Sequence, residues 1–262
     1  MTKAKRELPG LRAGHHPLSP SGAHRWFYCH AAPWLEEMAS QFGEELPASE
    51  AAQEGTNAHA EAEQVLRGKK PACVEYPEAQ DYVDYVREYL IDPLIEVELS
   101  FSDYVPGGKG TADAMGVQGN VLHVIDLKYG KGVRVDAHEN LQGKIYLLGA
   151  LQTIGFAYDF NKMHFHIMQP RLDHVSVAEY TRDEIIDFGK TLKRTVETML
   201  TSKELIASPG EETCRWCTAG AVCTARAEWV MSIARCEFDS VCDDDLDPSM
   251  ELHLHMKLGG FL

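Results

Sequence analysis

A chain of 262 residues and 29.2 kDa, 44% hydrophobic and 25% charged, has the composition of a globular protein with enough apolar residues for a core, which excludes global disorder, collagen and coiled coil. No apolar run approaches the ~20 residues of a membrane-spanning helix. Twenty-five Lys and Arg against 40 Asp and Glu leave a formal charge of −15, which excludes a simple basic coat for nucleic acid but not an enzyme with a local positive channel.

The first 17 residues carry basic side chains with no apolar segment behind them, so they read as a short flexible leader of a cytoplasmic protein rather than a secretory signal. Leu18-Ser19-Pro20-Ser21 opens a predicted helix that carries Trp26, Phe27, Cys29 and Trp34 and ends before the turn-rich stretch from Gly43 to Pro47. Helices are predicted from about Ser49 to Leu66 and from Pro77 to Leu90, and Pro93 breaks the pattern. Three strands follow, Leu94 to Phe101, Gly110 to Val117 and Val121 to Lys128, with Gly107-Gly108 and Gly119-Asn120 as turns. Leu141, Ile145, Leu148 and Leu151 form one stripe of a helix from Ala137 to Leu151. Strands at Lys162 to Met168 and His174 to Tyr180 precede a long helix from Arg182 to Lys203, a cysteine cluster and a helix from Ala221 to Ile233. The order predicts a mixed α/β core in a helical wrapping: one domain over 18–236, then an acidic tail over 237–262 with Asp243, Asp244, Asp245 and Asp247.

The chemistry concentrates in the three-strand meander. Asp113 falls near the middle of its second strand, and Asp126 and Lys128 flank Leu127 at the end of the third. Residues two apart on a strand share a face, so Asp126 and Lys128 point together, and a regular hairpin brings Asp113 across from them. Two carboxylates and an ammonium suit phosphodiester hydrolysis, because hard oxygens bind Mg²⁺ or Mn²⁺ and the ion activates water and offsets charge on phosphate. A surface hairpin with an ordinary ion pair is the competing reading of any isolated D-x-K. Two further groups stand at telling places: His59, one helical turn past Gly55, and the i, i+4 pair Gln142 and Tyr146.

In order, the chain holds G-x-x-x-H, G-x-x-D, D-x-K and Q-x-x-x-Y. This set resembles the RecB-type branch of the PD-(D/E)xK nuclease superfamily, which includes the Cas4 group, from about Leu18 to Cys223; L-S-P-S-G-A-H-R-W-F-Y-C and A-x-E-G-T-x-A-H also look like a phage-encoded family of RecB-like proteins. The resemblance implies a restriction-endonuclease-like core of mixed sheet flanked by helices. It implies His59, Asp113 and Asp126 as metal ligands with the backbone carbonyl of Leu127, Lys128 as the catalytic lysine, and Gln142 and Tyr146 contacting DNA or shaping the site. Arg25, Lys131, Arg134 and Lys144 are the candidate cations of a DNA channel. Glu98 fits an outer carboxylate as well as a solvated strand face, and both Glu96 and Glu98 stay outside the catalytic set.

Seven cysteines without an export signal do not read as a disulfide framework. Cys214, Cys217 and Cys223, spaced C-x2-C-x5-C, supply three thiolates, and a tetrahedral site needs a fourth from elsewhere. The iron–sulfur members of the resembled branch place one cysteine before the nuclease core and three after it, which implies Cys29 as the fourth ligand of a [4Fe–4S] cluster in a helical cap joining the N- and C-terminal parts. Zinc at the same four residues is the chemical alternative, and a buried core thiol is the alternative for Cys29. Cys73, Cys236 and Cys242 read as free thiols.

The expected function is a metal-dependent exonuclease on single strands or DNA ends. The alternatives are an end-trimming or branched-DNA nuclease working in a larger complex with recombination or replication proteins, and a silent cluster-bearing DNA scaffold.

Overall fold

The Asp113-to-Lys128 meander sits in a five-stranded sheet of order β1-β2-β3-β4-β5. The structure is a computed structural model and describes residues 5–10, 16–42 and 49–239; the acidic run from Asp243 to Asp247, Cys242 and most of the leader lie outside them. The strands are β1 (Leu94–Ser100), β2 (Lys109–Gln118), β3 (Val121–Leu127), β4 (Lys162–Gln169) and β5 (His174–Thr181). The helices are α1 (Ala23–Trp26), α2 (Ala32–Phe42), α3 (Glu50–Leu66), α4 (Ala79–Tyr89), α5 (Leu141–Ile154), α6 (Arg182–Thr201), α7 (Glu211–Cys214) and α8 (Thr224–Asp239). Two compact units emerge, one of Gly10–Ala23 and Glu45–Leu200, the other of Met1–Pro9, His24–Glu44 and Thr201–Leu262.

In the strand-bearing unit, β1, β2 and β3 form an antiparallel meander and β4 and β5 an antiparallel pair. β3 and β4 run parallel, Asp126 opposite Ile167. A parallel pair needs a crossover, and α5 is that connection. On one face, Ala58, Ala62 and Val65 of α3 and Tyr82, Val83 and Val86 of α4 pack with Ala114, Ile125, Leu127 and Met168 in one buried cluster. The i, i+4, i+7 spacing of Ala58, Ala62 and Val65 is the helical signature of that packing. α3 begins where expected because the Ser49 hydroxyl accepts from the Ala52 N–H at 3.2 Å.

Several boundaries differ from the sequence reading, the last helix for one running Thr224–Asp239 rather than from Ala221 to Ile233, and two of the differences have a local cause. The helix predicted from Leu18 onward is a 3₁₀ turn at Pro20–Gly22, the short α1, and a separate α2. Pro33 explains the break. It has no N–H to give the Cys29 carbonyl, which accepts instead from Ala32 N at 3.0 Å, and proline is accommodated in the first turn of a new helix. The helix predicted from Ala137 starts at Leu141 because Asn140 caps it, its side chain accepting from Gly143 N at 3.0 Å.

In the second unit, Cys29, Ala31 and Ala32 form a small buried cluster with Leu35, Leu205 and Ala207. Ala31 N donates to Ile206 O at 3.2 Å, tying the N- and C-terminal segments, and within the N-terminal segment Trp34 Nε1 donates to Glu7 O at 3.2 Å. No helix among the described residues is long and apolar enough to cross a membrane.

Candidate functional site

The β2–β3 hairpin is regular from Gln118↔Val121 to Ala114↔Ile125, which leaves Asp113 at the next position, beside Asp126. Asp113 Oδ2 accepts the Leu127 N–H at 2.7 Å, and its other oxygen lies 3.5 Å from His59 Nδ1. Burial alone would push the Asp113 carboxyl up, but His59, the Leu127 N–H and Lys128 together hold it below the ordinary range. Desolvation opposes charge on His59; the Asp113 carboxylate outweighs it and raises the imidazole.

Asp126 stands 3% exposed at the end of β3. Burial raises its pKa against the opposing pull of Lys128. Lys128 Nζ lies 2.7 Å from Asp126 Oδ2 and donates to Gln142 Oε1 at 3.0 Å; Gln142 Nε2 in turn donates to Asp126 Oδ1 at 3.0 Å and to the Tyr146 hydroxyl at 3.3 Å. Gln142 therefore holds the aspartate and the lysine in one geometry, and Tyr146 holds Gln142. Burial raises the Tyr146 hydroxyl pKa, so it stays neutral. Lys128 is itself oriented by its backbone N–H, which donates to Met168 O at 2.8 Å and extends the β3–β4 ladder past the strand end.

Glycines permit this approach. A methyl group at Gly143 would lie 2.5 Å from Phe165 Cγ and Cε1, so the first turn of α5 comes this close to β4 only without a side chain there. A Cβ at Gly110 would lie 2.8 Å from Pro20 Cγ and 3.3 Å from Tyr146 Cε1. Gly55, by contrast, borders open space: a Cβ there meets nothing within 4 Å.

Glu96, which the sequence reading left outside the site, converges with His59 and Asp113. One ligand atom from each of the three lies within 4.8 Å of the others, and all three line one cavity with Leu127 and Tyr82. The β1–β2 ladder pairs Ile95↔Ala114 and Val97↔Ala112 with no pair between, and Glu96 adopts φ 50°. That left-handed conformation is costly for a side-chain-bearing residue and is the kind of strain found at functional sites. Burial and the neighbouring Asp113 push the Glu96 carboxyl up to about 7. An acidic residue on the strand preceding G-x-x-D was the only signal in the sequence. Glu98 instead faces solvent and pairs with Lys109 at 2.9 Å.

The donor set fits a hard divalent cation. Carboxylates dominate it, with one imidazole, and the buried Tyr82 hydroxyl beside it has no hydrogen-bond partner among the described residues, while Asp126 Oδ2 has the Lys128 ammonium at 2.7 Å. The Leu127 side chain is buried, and its N–H serves Asp113.

The candidate DNA cations divide. Lys131 and Arg134 are exposed in the segment after Lys128. Lys144 pairs with Glu139 and sits over the Tyr180 and Phe188 rings, and Arg25 pairs with Glu36 at 3.1 Å in the other unit. Both are held by internal partners.

Cys29, Cys214, Cys217 and Cys223 line one cavity of the second unit. Burial raises the Cys29 thiol pKa, against the Ser208 N–H that donates to its sulfur at 3.4 Å, and pushes Cys217 up to about 11. Among the described residues, side-chain trios with donor atoms within 4.8 Å of one another are His59–Glu96–Asp113 and His123–His164–His166; the thiols form no such trio.

Fold and site thus define a mixed α/β protein with a carboxylate–imidazole–ammonium centre at the end of its meander. Residues 15–80 and 76–254 match the family described as "Protein of unknown function (DUF2800)", and the chain belongs to that family. Among solved structures, it is similar to the crystal structure of SSO0001 (18% identity, 74% of this chain and 96% of the other, TM-score 0.34). It is also similar to a "Putative exonuclease" from Eubacterium rectale (12% identity, 90% and 92%, TM-score 0.42).

Proposed function

We propose that this protein is a divalent-metal-dependent DNA nuclease acting on single strands or DNA ends, with His59, Glu96, Asp113 and Asp126 holding the ion. The observation that carries the reading is the convergence of His59, Glu96 and Asp113 on one cavity, beside the Asp126–Lys128–Gln142 triangle. An imidazole among carboxylates suits Mn²⁺ as well as or better than Mg²⁺, which prefers oxygen throughout. A bound ion of this kind supplies Lewis-acid polarisation of phosphate and an attacking water of lowered pKa.

The chain's own residues do the rest. Lys128 presents a fixed positive charge to the phosphate, and its orientation costs nothing at the moment of reaction because Asp126 and Gln142 already hold it. Tyr146 keeps the Gln142 amide in the orientation that bridges the two. The exposed Lys131 and Arg134 are the side chains best placed to meet a DNA backbone, whose binding should weaken as salt rises.

The four cysteines at one cavity support a structural metal there, with [4Fe–4S] as the first reading and zinc as the second.

The test is digestion of end-labelled single- and double-stranded DNA with Mg²⁺, with Mn²⁺ and with chelator. Wild type should cleave with metal alone, and Asp113→Ala and Lys128→Ala should each lose about 100-fold or more. Cleavage indifferent to chelator, or near wild-type rates in both variants, refutes the assignment.

A further inference from the structure

A second group of potential ligands lies outside this centre. His123 on β3 and His164 and His166 on β4 stand together: β3 and β4 are parallel, with His123 opposite His164 and Ile125 opposite His166. His164 and His166 are two apart and so share a face, and the pairing puts His123 on that same face. Asp126 is three residues along β3 from His123, an odd number, so it points to the opposite face. Ring nitrogens of the three histidines lie within 4.8 Å of one another.

We propose that His123, His164 and His166 form a binding site for a late first-row divalent metal, zinc first, separate from the carboxylate centre.

Three imidazoles with an open fourth position are a zinc donor set, and neutral imidazole suits zinc, copper and nickel over magnesium or calcium. His123 Nδ1 and His166 Nε2 are 3.0 Å apart, a few tenths of an ångström short of the ~3.3 Å between two nitrogens on one tetrahedral zinc. His164 Nε2 is buried and has no hydrogen-bond partner among the described residues. Without metal, a single chain of hydrogen bonds from Tyr85 through His166 to His123 satisfies two of the rings and leaves that third nitrogen unserved. With metal, the Tyr85 hydroxyl, 2.8 Å from His166 Nδ1, accepts that ring's N–H and turns Nε2 to the ion, the usual supporting contact of a ligating histidine.

The surroundings agree. Tyr85 and Tyr89 of α4 pack against His166 with ring centroids 5.8 and 5.0 Å away, walling the site on the helix side. Burial, and secondarily the neighbouring rings, lower His123 to about 4 and His166 to about 3, so both are neutral near pH 7 with lone pairs available. On β5, Glu179 is opposite His164 with Oε2 3.7 Å from Nε2 and 69% side-chain exposure, free to swing in as fourth ligand where water does not serve. The ion would clamp the parallel β3–β4 pair, where the sheet depends on register set across a crossover.

The test is metal stoichiometry. Untagged full-length protein is stripped with chelator, titrated with Zn²⁺ and separately with Co²⁺, and compared with His164→Ala and His123→Asn, circular dichroism verifying the fold. His164 is the least buried of the three, with a 16% exposed side chain, so its replacement disturbs the packing least. Each variant should bind one equivalent fewer than wild type, and the cobalt absorption that disappears should lack a thiolate charge-transfer band. That equivalent should persist in His59→Ala and in Cys214→Ser, and persistence there with loss of cleavage separates this site from the nuclease assignment. Wild-type stoichiometry in both histidine variants, or a thiolate signature on the lost equivalent, overturns the proposal and leaves the trio a packed hydrogen-bonded cluster.

Discussion

Replacing Gly143 with alanine sets two effects of opposite sign against each other. Gly143 lies inside α5, where alanine normally stabilises a helix by about 1 kcal/mol. Here the new methyl would lie 2.5 Å from Cγ and Cε1 of Phe165, whose ring is fully buried and has nowhere to retreat. Overpacking of this kind costs about 1–3 kcal/mol, so the clash should outweigh the helical gain and leave a net loss of about 1 kcal/mol. At roughly 2–4 °C per kcal/mol for a domain of this size, the melting temperature should fall by a few degrees. The effect reaches the site because Gln142 is the adjacent residue and must touch both Asp126 and Lys128; a displacement of ~1 Å in a positioning group costs on the order of 100-fold in rate. Thermal melts and DNA digestion measure both consequences. The control is Gly55→Ala in α3, where a Cβ meets open space and the melting temperature should rise. A Gly143→Ala protein that melts at or above wild type and cleaves normally would refute the claim that close approach of α5 to β4 builds the site.

Glu61→Ala should lower stability by about 3 kcal/mol in urea unfolding, because its buried carboxylate accepts from the N–H groups of Val74, Glu75 and Tyr76 and from Lys70 Nζ, and removal leaves those donors without an acceptor. Glu96→Ala should reduce cleavage and raise the Mn²⁺ concentration required for half-maximal rate, whereas Glu98→Ala, which loses only a solvent-exposed pair with Lys109, should do neither. Anaerobically purified protein should be brown with about four irons per chain, and Cys29→Ser should lose most of them; unchanged metal content in that variant would make Cys29 a core thiol. A colourless wild type with one zinc at the same residues would replace the cluster by a zinc staple.

Much of the scaffold was legible in the chain itself, because its signals are local. Alternation and the Gly107-Gly108 and Gly119-Asn120 turns located the meander, and the two-residue period alone put Asp126 and Lys128 on one side of β3. The i, i+4 spacing joined Gln142 to Tyr146, as their 3.3 Å contact bears out. Glu96 was not legible. Its approach to His59 depends on a left-handed residue interrupting the β1–β2 ladder without shifting its register, and no local pattern announces such an interruption. Nor did sequence reveal that Lys144, paired with the nearby Glu139, also sits over the Tyr180 and Phe188 rings, since those rings come from elements far along the chain. The histidine trio makes the same point most sharply. His164 and His166 are visibly two apart, but His123 lies 43 positions from the imidazole it contacts. Their meeting rests on the parallel register of β3 and β4, and a slip of one residue would turn His123 to the other face. Local chemistry is written in spacing, whereas convergence is decided by strand register and helix packing, which only the folded chain supplies.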